Sequence, residues 1–142
     1  MRTVFALTAV IASFGLISAD DKKDPTVGNW VIQSVTRDGK ADAALKDGQR
    51  SHGDGKYTMA RATDAAKPFA TGSYALDASK TPMTIDLKPK GGTYDGKTLL
   101  GIVKVDGDVM TIAFAEPGKD RPTAFESKAG SGVVVAVHKK AK

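Results

Sequence analysis

Three observations predict an all-β chain, an antiparallel up-and-down barrel of about eight strands or a two-sheet sandwich. Short alternating apolar runs recur at close spacing, Gly- and Asp-rich turns separate them, and no long helical period intervenes. The clearest run is Thr98 to Ala115 (TLLGIVKVDGDVMTIAFA). Asp106-Gly107 sits between its two halves, and Asp-Gly favours a type I′ hairpin turn. That turn sets Val103 opposite Met110, Gly101 opposite Ile112 and Leu99 opposite Phe114, all on one face. The opposite face, with Leu100, Ile102, Lys104, Val109, Thr111 and Ala113, is more mixed.

The other elements follow in order. Gly28 to Thr36 alternates around Trp30 and Ile32 and ends in the turn Arg37-Asp38-Gly39-Lys40. Ala41 to Asp47 favours one helical turn, with Gly48 as its C-cap. Arg50 to Gly53 and Lys56 to Ala62 form the weakest hairpin, around Asp54-Gly55, with Tyr57, Met59 and Arg61 on one face. Phe69 to Leu76 is a strand in which Gly72 marks a bulge or kink. Met83 to Leu87 alternates cleanly and Pro89 ends it. Lys90 to Lys97 is a Gly-rich connection. Glu116 to Pro122 is an exposed turn region, and Thr123 to Ser127 is a short edge segment around Phe125. Val133 to Lys139 is apolar on both faces, as a central or closing strand would be.

Composition narrows the function classes. The sequence has 142 residues, one domain's worth, and no cysteine. Thiolate metal sites, a cysteine nucleophile and disulfide chemistry are therefore excluded. Arg2, an uncharged apolar run from Val4 to Ile17, and Ser18-Ala19 before a charged segment predict a signal peptide over residues 1–19. The apolar run is too short to span a membrane. The expected product is exported to the periplasm or outside the cell, without a membrane span. A flexible linker is expected over 20–25, then one domain over 26–142. The net charge of +5 is dispersed except at Lys139, Lys140 and Lys142, which reads as a solvated tail.

Gly28-x-Trp30 at the start of the first strand resembles the opening motif of lipocalins, in which the Trp plugs the closed end of the barrel. Over Thr26 to Lys139 the chain also resembles an uncharacterised family of small secreted lipocalin-like proteins abundant in planctomycetes. The matching pieces are Gly28-Asn29-Trp30, Arg37-Asp38-Gly39-Lys40, Thr84-Ile85-Asp86-Leu87, Gly96-Lys97-Thr98-x-Leu100-Gly101-Ile102, Asp106-Gly107-Asp108, Ala115-x-Pro117-Gly118, Arg121-Pro122-x-x-Phe125 and Gly130-Ser131-Gly132. The resemblance implies a lipocalin-like barrel and no reaction. Lipocalins stack an Arg from the last strand on the opening Trp. Here that strand carries His138 and Lys139, so Arg121 is the candidate for a cation–π contact with Trp30.

Candidate sites each meet a plainer explanation. Gly91 to Thr98 matches the phosphate-loop pattern G-x-x-x-x-G-K-[ST]. Phosphate binding there needs a following helix, and a strand follows instead. His52 and His138 lie far apart, with no spacing that supports a metal. Ser131 lacks the G-x-S-x-G elbow. Glu116 and Glu126 are a glutamate pair only in name, each beside a turn. Tyr57 and Arg61 are too few for a nucleic-acid face. No catalytic residue, metal or cofactor is expected, and no nucleic-acid partner.

What remains is the barrel interior, which in an eight-stranded barrel either fills with side chains or holds one small ligand. Trp30, Tyr57, Tyr74, Ile112 and Phe114 are the expected lining, with small inward residues Ala70, Gly72, Gly101, Ala113 and Ala136 leaving room. The first expectation is a non-enzymatic exported protein holding a small apolar ligand. The alternative is a filled barrel, an interaction module that works through loops such as Gly91–Lys97 and Glu116–Pro122, with an unknown protein partner.

Overall fold

The computed structural model describes residues 24–142. The expected signal peptide and most of the linker lie outside the described residues. The strands are β1 (Gly28–Arg37), β2 (Lys40–Ala41), β3 (Gln49–Gly53), β4 (Lys56–Ala60), β5 (Ala70–Asp77), β6 (Met83–Lys90), β7 (Leu99–Asp106), β8 (Val109–Ala115) and β9 (Val133–Lys140). From β3 to β9 each strand pairs antiparallel with the next; β1 pairs with both β3 and β9. The sheet therefore closes as an eight-stranded, lipocalin-like up-and-down barrel, with β2 a two-residue appendage on β1. Closure removes both sheet edges. β9 is the closing strand, with Val134, Ala136 and His138 buried on its inner face and Val133, Val135 and Val137 half-buried on its outer face.

Three Asp-Gly pairs make two kinds of turn. In Asp38-Gly39 and Asp54-Gly55 both residues have positive φ (52° and 83°, 53° and 73°) and sit centrally between paired neighbours, the type I′ pattern. In the β7–β8 hairpin Asp106 pairs with Val109, so Gly107 (φ 59°) and Asp108 occupy the centre. Positive φ at the first central residue alone is the type II′ pattern. The register therefore differs by two residues from the expected one: Gly101 faces Phe114, Val103 faces Ile112 and Val105 faces Met110. An even shift keeps every side chain on its face.

Several local expectations are corrected. The bulge lies in β1, where the register against β9 slips between Ile32 and Ser34. It switches the parity, so Trp30 and Ile32 point inward and then Val35 does. Gly72 sits in regular register between Tyr57 and Pro89. A Cβ there would come within 2.8 Å of the Tyr57 ring, so the glycine is required by close packing. Pro89 lies within β6, because pairing with β7 has already stopped at Leu87, leaving no ladder bond for its missing N–H to break. The helical turn shortens to a 3₁₀ turn at Ala43–Leu45, and Asp47 (φ 66°), not Gly48, takes the left-handed position. Arg61 leaves the strand before it can share a face with Tyr57, and its guanidinium lies 4.5 Å over the exposed Phe69 ring.

Thr123 to Ser127 is not a strand. The segment after β8 instead runs over the outer wall. Arg121 pairs with Asp86 at 2.8 Å and donates to the Gly101 carbonyl at 2.8 Å, while Lys104 lies 4.8 Å from the Phe125 ring. Outward-facing Ile102 and Ala113 are accordingly buried. Ala113 is therefore not an inward residue.

Candidate functional site

The barrel has two unlike halves. At one end the segment 24–27 crosses the opening. Trp30 is buried beneath it and donates its indole N–H to the Thr26 carbonyl at 2.9 Å. Asp24, assigned to the linker from sequence, accepts from the Thr26 backbone N–H at 2.9 Å and from the Tyr74 hydroxyl at 2.6 Å. The cation over Trp30 is Lys140, 4.7 Å from the ring; Arg121 is engaged elsewhere, which corrects that expectation. Below this plug Ile85, Val103, Met110 and Ile112 are completely buried and fill the interior.

At the other end the interior is open. A cavity of about 310 Å³ lies between β1, the β4–β5 connection, the Gly91–Tyr94 loop and the walls of β8 and β9. Leu87, Leu99, Phe114, Val134 and Ala136 give it an apolar wall, and Arg37, Phe69 and Tyr94 also line it. Of the five residues expected to line a ligand site, Tyr57 and Phe114 line this cavity. Trp30, Tyr74 and Ile112 belong to the packed half below it. Gly28 abuts Lys140 at the plugged end, and Gly101 sits against Ile85 and Phe114, where a Cβ would collide. Asp106 and Gly107 make the β7–β8 turn, and Arg121 and Phe125 belong to the outer strap.

The boundary between the halves holds charged and titratable groups. Arg50 on β3 faces Trp30 on one side and Met59 on the other, is 3% exposed, and lines the cavity. Its Nε–H donates to His52 Nε2 at 2.8 Å. An arginine can only donate, so His52 Nε2 accepts and its proton is on Nδ1. That nitrogen donates to Thr26 Oγ1 at 3.0 Å, and the Thr26 hydroxyl donates to Asp24. One directed chain of hydrogen bonds therefore runs from the buried guanidinium to the plug.

The remaining guanidinium nitrogens are poorly served. Nη1 points at the Met59 thioether at 3.3 Å, a weak acceptor, and Nη2 has no partner among the described residues. The Tyr57 ring lies 4.9 Å from the guanidinium carbon. Among the described residues no carboxylate pairs with Arg50. Burial lowers its pKa to about 10, still charged at neutral pH. Burial first, and then the Arg50 charge, push the imidazoles down, His52 to about 2 and His138 to about 3. Both are neutral at physiological pH. His138 donates Nδ1–H to the Met110 carbonyl at 3.1 Å, which leaves Nε2 as an acceptor without a partner among the described residues. Burial also raises both tyrosines, Tyr74 with help from its Asp24 hydrogen bond.

His52 and His138, eighty-six positions apart in sequence, thus both come within reach of the Arg50 charge inside the barrel. Arg50 was absent from the expected lining. Strand parity could have found it: the Asp54-Gly55 turn puts Arg50 opposite Met59, on the Tyr57 face. Comparison with protein-family models, with curated proteins and with solved structures returns no match.

Proposed function

We propose that this chain is a non-enzymatic, exported lipocalin-like binding protein that takes a small, largely apolar molecule into the open half of the barrel. The observation that carries the reading is the 310 Å³ cavity with its apolar wall, at the lower end of the range of ligand pockets, about 300–1,000 Å³. Half a filled interior gives the scaffold stability; the other half leaves room. The resemblance to secreted planctomycete proteins supports export and family membership, and rests on the sequence pieces quoted above. The loop-module alternative has less support. Arg121 and Phe125 are tied to the barrel wall rather than displayed, and Gly91–Tyr94 forms a cavity rim.

The test uses the neutral dye N-phenyl-1-naphthylamine, whose emission rises in apolar surroundings. Wild-type protein enhances its emission saturably, and Ala70→Trp, which fills the mouth at a half-buried position, removes the enhancement while keeping the wild-type unfolding midpoint. No saturable enhancement with the wild type, or an undiminished one with Ala70→Trp, overturns the reading.

A further inference from the structure

From Arg50 we infer that the cavity floor is an anion site, and that the ligand is a carboxylate amphiphile whose head group seats on this guanidinium while its tail fills the apolar half. This rests on the cavity being the ligand site and adds the chemical class of the ligand.

Four observations converge. First, Arg50 is an arginine inside a barrel, 3% exposed, with no paired carboxylate among the described residues. A buried charge is costly to hold unless something opposes it. Second, its hydrogen bonds are lopsided. Nε is committed to His52, which holds the side chain in place through Thr26 and Asp24. The terminal edge, Nη1 and Nη2, has only a thioether and nothing among the described residues. That edge is the fork that takes the two oxygens of a carboxylate in parallel. Third, the two neighbouring imidazoles are neutral, so the site carries one positive charge and matches a singly charged head group better than a dianion. Fourth, Met59 and Tyr57, the side chains at the terminal edge, line the cavity together with Arg50 itself, which sets that edge against the cavity lining.

The His52–Thr26–Asp24 chain then has a purpose beyond plugging. It fixes a long, flexible side chain in one orientation before the ligand arrives, which lowers the ordering cost of binding.

The experiment compares decanoate with decanol, the same tail with and without the charge, by displacement of N-phenyl-1-naphthylamine from the full protein. Decanoate binds the wild type about 10- to 100-fold more tightly than decanol, the range for a hydrogen bond to a charged group. Arg50→Met, which replaces the cation with an apolar chain of similar length, brings the two ligands to within about threefold of each other. Arg50→Lys keeps a preference for decanoate and guards against a failure of Arg50→Met to fold. Equal binding of both ligands by the wild type overturns the anion site and leaves the cavity reading standing. Binding of neither overturns both. A decanoate preference that survives Arg50→Met assigns the charge to another group, such as Arg37 at the mouth, and overturns the role of Arg50.

Discussion

The plugged and open ends of the barrel are made by the same strands, yet they obey different rules. At the plugged end polar groups are satisfied: the Trp30 indole, the Thr26 hydroxyl and the Tyr74 hydroxyl all have partners, and Asp24 collects two of them. Below them Ile112 and Met110 are fully buried. At the open end the wall is apolar but has nothing packed on it, and Phe69 stays exposed. Packing is therefore concentrated in one half and open space in the other. Arg50 stands at the boundary, its Nε held through His52 toward the plug and its Nη2 without a partner among the described residues.

The sharpest way to break this contrast is truncation at each end. Trp30→Ala removes a buried aromatic from the plug and should cost about 3–5 kcal/mol of unfolding free energy. Phe114→Ala, half-buried on the cavity wall, should cost clearly less, because part of the space it vacates is already open. Urea denaturation of both variants decides; equal losses would mean the two halves are not distinct.

Acid should act on the buried imidazoles. His52 and His138 stay neutral in the fold, whereas in the unfolded chain they take up protons near pH 6.5. Their contribution is complete above pH 6.5 and is lost as pH falls toward the folded values of about 2 and 3. The slope is about 1.4 kcal/mol per pH unit for each histidine. Urea midpoints at pH 7, 6 and 5 measure it, and His138→Asn should remove about half of the dependence. A flat profile between pH 7 and 5 would show that the imidazoles are not held neutral.

Tyr74→Phe deletes the hydroxyl that donates to Asp24. Its expected cost is about 1–2 kcal/mol, read as a shift in thermal unfolding. Phe69→Ser at the mouth should change stability by no more than about 0.5 kcal/mol, the range for exposed sites. A larger loss would move Phe69 from the rim into the core.

Much of the barrel was legible because a strand writes its two faces in alternate residues. Leu99 to Phe114 sorted correctly even though the turn was placed one residue early and the pairing register two residues off, since an even slip leaves faces unchanged. The odd slip at the β1 bulge was harder: one extra residue moves Val35 inward, and only the broken alternation after Ile32 hints at it. Of the candidate site, the aromatic inward residues were found, but three of the five lie in the packed half. Arg50 was passed over because charge normally marks an outward position, although its parity with Tyr57 pointed inward.

By itself the sequence determined an all-β chain, its strand order in the main and the inward face of most strands, because periodicity and turn chemistry act between near neighbours. Only the tertiary structure decided that β9 closes on β1, that Lys140 rather than Arg121 covers Trp30, and that His52 and His138 both come within reach of the Arg50 charge. Those are contacts between residues distant along the chain, set by how far each strand slides along its neighbour as the barrel closes. No local pattern carries that slide, and it also decides which half of the interior fills and which stays open.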